Sequence, residues 1–242
     1  MPAAYTPQEL MAVLIARQVR DGETVAVGAV SPIPAAGCVL AEQTHAPDIR
    51  LIILDCEEYY PFSGGSSALH FLAQRGELDL FFLSGIQIDQ HANVNLHVIG
   101  DYQAPDRRLA GAYGSAMLYY MAGRVILFRT EHSRRSLVER VDFVTSPGAS
   151  PDSVHRPGGP SLLITPKAVL EWHADGWTCR SIHPGSDVQD IRDNTGFALA
   201  LSPPPPITPA PSERELAVLR GRVRTKLDRS YPDFFARHVL PG

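Results

Sequence analysis

The chain has 242 residues, 44% of them apolar, and a formal net charge of −4 with acidic and basic residues interspersed. That length suits one α/β domain with a sizeable core, and the mild, scattered charge excludes an electrostatic footprint for nucleic acid. No apolar run approaches the roughly 20 residues needed to span a membrane, so neither nucleic acid nor a bilayer is an expected partner.

The opening MPAAYTPQELM lacks the basic-then-apolar pattern of a signal peptide. Cys38, Cys56 and Cys179 are odd in number and widely spaced, which fits buried thiols in a reducing cytoplasm and not a disulfide framework or a metal site. Thr6-Pro7-Gln8-Glu9 is a capping box with proline at the first helical position, predicting a helix from residue 7 to about 20. Residues 24–30 read as a strand buried on both faces. Ser31-Pro32-Ile33-Pro34 reads as a loop, 35–44 as a short helix and 49–54 as a second buried strand.

Asp55-Cys56-Glu57-Glu58 follows at the C-terminal end of that strand, where open α/β sheets bind ligands. The carboxylates are a candidate site, with solvated loop acids as the alternative. Ser63, Gly64 and Gly65 belong to a glycine turn that opens a helix over 68–74, and a third strand follows over 78–84. In residues 85–95, Gln87, Asp89, Asn93 and Asn95 lie two apart and share one face of extended chain; Asp89 and Asn93 also suit side-chain-closed turns.

Residues 109–130, LAGAYGSAMLYYMAGRVILFRT, run glycine turn, helix, strand. Gly111 and Gly114 let the backbone approach a ligand, so the turn can hold a phosphate, a carboxylate or an oxyanion; tight helix–sheet packing is the plainer explanation. Arg124 and Arg129 flank the strand. Residues 143–147 read as extended, 149–160 as a loop or lid, and 162–164, 168–172 and 177–182 as an antiparallel meander turning at Asp175-Gly176. A helical stretch over 188–194 precedes the Pro-rich 202–211. Ser212-Glu213-Arg214-Glu215 caps a last helix with Leu216, Leu219, Val223 and Leu227 on one stripe.

The alternation of strands and helices predicts an α/β fold: an open, mostly parallel sheet with helices on both faces and added antiparallel strands. The expected division is a main domain at 1–201, a linker at 202–211 and a C-terminal helix and tail at 212–242, packed on the body or on a partner.

The chain resembles the β subunit of the family I CoA-transferases, the glutaconate and 3-oxoacid CoA-transferase superfamily. The likeness is carried by the DGETVAVG run at 21–28 with HAPDI at 45–49, by LFFLSGIQID at 80–89 with Asn93 and Asn95, by the turn at 111–116, and by VDFVTSPG at 141–148. The resemblance implies an enzyme that works with an α subunit on acyl-CoA thioesters and moves CoA between carboxylic acids. CoA is then a substrate and no cofactor is tightly bound. In that family a β-subunit glutamate attacks the thioester while backbone N–H groups hold the oxyanion. The equivalent place here reads Asp55-Cys56-Glu57-Glu58, so the resemblance assigns Asp55 or Glu57 as catalytic. It assigns Gly111, Gly114 and Ser115 to the oxyanion and thioester turn. Ser63, Gly64, Gly65, Gln87, Asp89, Asn93 and Arg124 become substrate-binding candidates.

A related branch, the ring-opening acyl-CoA hydrolases of steroid degradation, lacks the usual glutamate and takes its base from the α subunit. In that reading Arg124 or Arg129 holds a substrate carboxylate. A non-catalytic acyl-CoA-binding or scaffolding subunit is the third possibility.

Overall fold

The structure is a computed structural model and describes residues 5–63, 65, 67–201 and 203–241. The Thr6–Glu9 capping box forms in both directions and starts α1 (Pro7–Ala16), which is shorter than the sequence predicts. Strand β1 (Thr24–Val27) leads into α2 (Pro32–Glu42). The expected loop at Ser31–Pro34 is therefore the first turn of a helix. Pro32 occupies the first helical position, Pro34 lies two residues on, and the first helical bond runs from Ala35 N to Ser31 O at 3.1 Å. Prolines are tolerated there because first-turn N–H groups have no helical acceptor.

Next come β2 (Arg50–Ile53), a 3₁₀ turn at Glu57–Tyr59, α3 (Ser67–Gln74) and β3 (Leu80–Leu83). Two short strands, β4 (Gln87–Asp89) and β5 (Val94–Asn95), form a hairpin beside β6 (Val98–Gly100) and β7 (Pro105–Arg108). After α4 (Ser115–Met121) come β8 (Arg124–Phe128), β9 (Leu137–Val138), β10 (Pro160–Ile164), β11 (Ala168–His173), β12 (Gly176–Ile182) and α5 (Val188–Asn194). The C-terminal segment holds α6 (Glu213–Val218), a π turn (Leu219–Val223), α7 (Arg224–Leu227) and α8 (Pro232–His238).

Seven strands make the main sheet in the order β12-β11-β10-β8-β3-β1-β2. The five from β2 to β10 are parallel; β11 pairs antiparallel with β10, and β12 antiparallel with β11. The mixed α/β sheet is the predicted one. Side chains alternate between two cores, as the period of a strand requires. Val25, Val27, Leu80, Phe82, Ile126 and Phe128 pack with α1, α2 and the C-terminal helices, while Ala26, Phe81, Leu83, Val125 and Leu127 pack with α3 and α4. These strands therefore read as apolar runs, with helices covering both faces.

The Pro-rich stretch is docked against the sheet edge. Thr208 is 2% exposed, Ile207 bridges to Ile182, and Thr208 N donates to Ile182 O at 2.8 Å. It covers the open side of β12, an edge that would otherwise present unpaired backbone. Among the described residues, no helix is long and apolar enough to cross a membrane.

The sheet order reverses at β1: the chain goes from β1 to β2 on one side, then back across to β3 on the other. The crevice outside the strand C-termini at that switch point is where open sheets bind ligands.

Candidate active site

A cavity of about 450 Å³ lies at that crevice. Its floor and walls come from the ends of the parallel strands: Gly28 to Ser31 after β1, Leu54 after β2, Ser84 to Ile86 after β3, and Phe128 to Thr130 ending β8. The glycine turn closes one side through Gly111, Ala112, Tyr113 and Ser115. The lining is mostly apolar, and among the described residues it contains one formal cation, Arg129, and no carboxylate. This is the size and character of a small-ligand site.

The glycine turn depends on left-handed backbone at Gly111 (φ +96°) and Gly114 (φ +93°), with Tyr113 also positive at +48°. Gly114 backs onto His70, whose Nε2 lies 3.3 Å from Gly114 O, so a side chain there meets the imidazole. The Ser115 backbone N–H is used inside the turn, donating to Ala112 O at 2.8 Å. What Ser115 offers the cavity is its hydroxyl, which is buried and has no hydrogen-bond partner among the described residues.

Asp55 sits at the rim, exposed, next to the lining residue Leu54. Its Oδ2 accepts from the Val30 N–H at 2.7 Å and its Oδ1 accepts from the Tyr231 hydroxyl at 2.9 Å. Burial, and then the Asp55 carboxylate, hold the Tyr231 phenol well above its ordinary value. Glu57 and Glu58 turn away toward the C-terminal helices. Arg229 approaches Glu57 at 3.5 Å, and Lys226 pairs with Glu58 at 2.9 Å. Cys56, between them, is 3% exposed and packs in the core with Tyr59 and Tyr231.

The other candidates lie away from the cavity. Gln87 and Asp89 are buried in the β4–β5 hairpin. Asn95 Nδ2 donates to Gln87 Oε1 at 2.7 Å, and Gln87 Nε2 donates to Asp142 Oδ2 at 3.0 Å. The Asp89 carboxylate accepts the backbone N–H groups of His91, Asn93 and Val141 and the Asn93 amide. These residues close turns and tie loops together. Ser63 and Gly65 lie before α3 and outside the cavity wall; Gly64 falls outside the described residues.

Arg124 starts β8, at the opposite end of the sheet, and is paired with Glu23 at 2.8 Å and with Gln18 O at 3.0 Å. Arg129, at the C-terminal end of the same strand, reaches the cavity. Strand direction alone distinguishes the two arginines, because ligands gather at strand C-termini.

The Coenzyme A transferase family model matches residues 57–194. The β subunit of 3-oxoadipate CoA-transferase from Pseudomonas knackmussii is 33% identical, over 90% of this chain and 94% of that protein. The β subunit of glutaconate CoA-transferase from Acidaminococcus fermentans is 32% identical, over 82% of this chain and 85% of that protein. A crystal structure of the decarboxylase AibA/AibB superimposes with a TM-score of 0.78 at 29% identity, covering 89% of this chain and 93% of that one. With the predicted sheet and strand-end cavity in place, these likenesses show that the chain belongs to the CoA-transferase family, on its β-subunit side.

Proposed function

We propose that this chain is the β half of a heteromeric enzyme that binds an acyl-CoA thioester in the strand-end cavity and transfers CoA between carboxylic acids. Its transferase relatives are each one subunit of a larger enzyme, and the decarboxylase has paired chains; both support an α subunit of the same family as partner. CoA enters as a substrate, with no tightly bound cofactor. The cytoplasm is the compartment assigned, in keeping with three free cysteines.

The observation that carries this reading is a carboxylate at the rim of an apolar cavity walled by a glycine turn. Asp55 is bonded to Val30, and Val30 lines the same cavity as Gly111 and Ser115. In transfer, a carboxylate oxygen of Asp55 attacks the thioester carbonyl. The C–S bond breaks, CoA leaves as a thiolate, and a mixed anhydride remains. The thiolate then attacks the aspartyl carbonyl, which releases the acid and leaves an aspartyl-CoA thioester for the incoming carboxylate. The glycine turn of Gly111, Gly114 and Ser115 is the proposed holder of the oxyanion; of the three, Gly111 and Ser115 line the cavity. Glu57, paired on the outer surface, is the weaker candidate.

A second reading is favoured by the engagement of both Asp55 oxygens. Two hydrogen bonds fix the carboxylate and weaken it as a nucleophile. An enzyme on this scaffold that cleaves a C–C bond by hydrolysis, opening a cyclic 3-oxoacyl-CoA with a base from the α subunit, needs Asp55 only to hold the rim. The test is mass spectrometry of the co-expressed α/β complex after exposure to acyl-CoA and borohydride. A reduced adduct on Asp55, absent in Asp55→Asn, supports transfer. Turnover of a cyclic 3-oxoacyl-CoA with no adduct sinks transfer and favours the hydrolase. Binding without any turnover leaves a non-catalytic acyl-CoA-binding subunit.

A further inference from the structure

The two hydrogen bonds on Asp55 come from unlike surroundings. The Val30 N–H donates to Oδ2 at 2.7 Å, and Val30 lines the cavity. The Tyr231 hydroxyl donates to Oδ1 at 2.9 Å. Tyr231 directly precedes α8, is 7% exposed and packs in the core with Cys56. Oδ2 is therefore the oxygen on the cavity side, and Oδ1 is held from behind by the C-terminal segment. Burial is the first cause that holds the Tyr231 phenol well above its ordinary value, ahead of the Asp55 charge. The hydroxyl thus keeps its proton, and remains a donor, even when Asp55 is acylated and neutral. Such a donor costs the carboxylate reactivity as a nucleophile. Its gain comes in a step where negative charge develops on Oδ1.

We infer that the Tyr231 hydroxyl is a catalytic donor that stabilises the oxyanion formed on the Asp55 carbonyl when Asp55 is itself attacked. The inference rests on the transfer reading of Asp55. Oδ2 attacks the thioester, so in the mixed anhydride Oδ2 bridges to the acyl carbon and Oδ1 is the aspartyl carbonyl oxygen. The CoA thiolate adds to the aspartyl carbon, and the carbonyl electron pair moves onto Oδ1, against Tyr231. The pair then returns, the bond from the aspartyl carbon to Oδ2 breaks, and the acid leaves with Oδ2. The same oxyanion forms when the incoming carboxylate attacks the aspartyl-CoA thioester. The glycine turn serves the acyl carbonyl, and Tyr231 serves the aspartyl carbonyl.

The test is a single-turnover measurement on the co-expressed α/β complex, mixed with acetyl-, butyryl- or succinyl-CoA and quenched in acid. Intact mass reads the CoA adduct, and borohydride reduction locates it. Tyr231→Phe removes only the hydroxyl. It should slow formation of the aspartyl-CoA thioester on the order of a hundredfold, with kcat falling and KM for the ester little changed. Site-specific 3-fluorotyrosine at position 231 keeps the shape and makes a stronger donor, so it should speed formation several-fold. It also decides the matter if Tyr231→Phe does not fold, because a purely structural hydroxyl gives no gain. An adduct on Asp55 that forms equally fast in wild type and Tyr231→Phe, or a fluorotyrosine protein that is no faster than wild type, overturns the inference and leaves transfer standing. No adduct on Asp55 in wild type with any of the three esters removes the transfer reading, and the inference with it.

Discussion

Val30 carries backbone strain at the rim of the cavity. It is β-branched, has φ +53°, and is 85% exposed, so no packing of its own side chain holds it there. A β-branched residue in the left-handed region costs about 1–2 kcal/mol. The Asp55 carboxylate, bonded to the Val30 N–H, keeps the turn in place. Replacing Val30 with Asn, which tolerates that region, should raise the melting temperature by about 2–4 °C, corresponding to roughly 1 kcal/mol in a chain of this size. A melt showing no gain would mean that the strain is absent in solution. The same residues show what local sequence can and cannot say. Strand pattern puts Asp55 at a strand end, as found, but its partner Tyr231 is 176 residues away, and no local pattern links them. Arg129 is legible in principle, since strand direction marks it as the site-facing end of β8. Ser115 is legible as part of a glycine turn, whereas its hydroxyl, unpartnered among the described residues, emerges only once the walls of the cavity are known.

At the scale of elements, the C-terminal helices are part of the core around α1 and α2. Leu219, Val223, Leu227 and Phe235 are fully buried against them. The fastening point is Glu9 in the first turn of α1, itself 0% exposed. Its carboxylate accepts from the Thr6 N–H at 2.8 Å, from Arg220 Nε at 2.7 Å and from the Leu240 N–H at 3.2 Å. Glu9→Ala removes the capping carboxylate and the counter-ion of Arg220 together. It should cost about 3–5 kcal/mol, read as a lower urea midpoint. Glu9→Gln keeps the hydrogen-bond acceptor and should recover part of the loss. An alanine variant as stable as wild type would show that the C-terminal segment is held by its apolar stripe alone. That stripe, and both capping boxes, are readable from residue spacing because they follow the helical period. The helix start at Pro32 is not, since a proline pair reads as a loop unless the unpaired first-turn N–H groups are considered. The π turn at Leu219–Val223 is also hidden: it shifts the hydrogen-bond register while leaving the buried stripe unchanged.

Across the whole molecule, the antiparallel extension, α5 and the Pro-rich stretch meet at two buried histidines. His132 bonds through Nδ1 to the Thr165 hydroxyl at 2.8 Å and through Nε2 to the Thr195 hydroxyl at 3.1 Å. His183 bonds through Nδ1 to the Thr208 hydroxyl at 2.8 Å and through Nε2 to Thr165 O at 2.9 Å. Thr165 therefore touches both rings, and the network joins four segments that local sequence treats as separate. Burial pushes both histidines down to about 4 from an ordinary 6.5; for His132, Lys167 and His183 add to the fall and Asp190 opposes it. The unfolded chain takes up these protons first, so stability is flat above about pH 6.5 and declines as the pH falls toward 4. Each histidine accounts for on the order of 3 kcal/mol at the bottom of that window. Carboxylates held low by their partners, such as Glu215 at about 2, act in the same direction but only below their ordinary 4.5. Urea unfolding between pH 7 and 5 thus isolates the histidines. The expected result is a steady loss of stability over that interval, flattened in a His132→Asn, His183→Asn double variant. An identical slope in both proteins would show that the network is open to water and that these rings do not hold the four segments together.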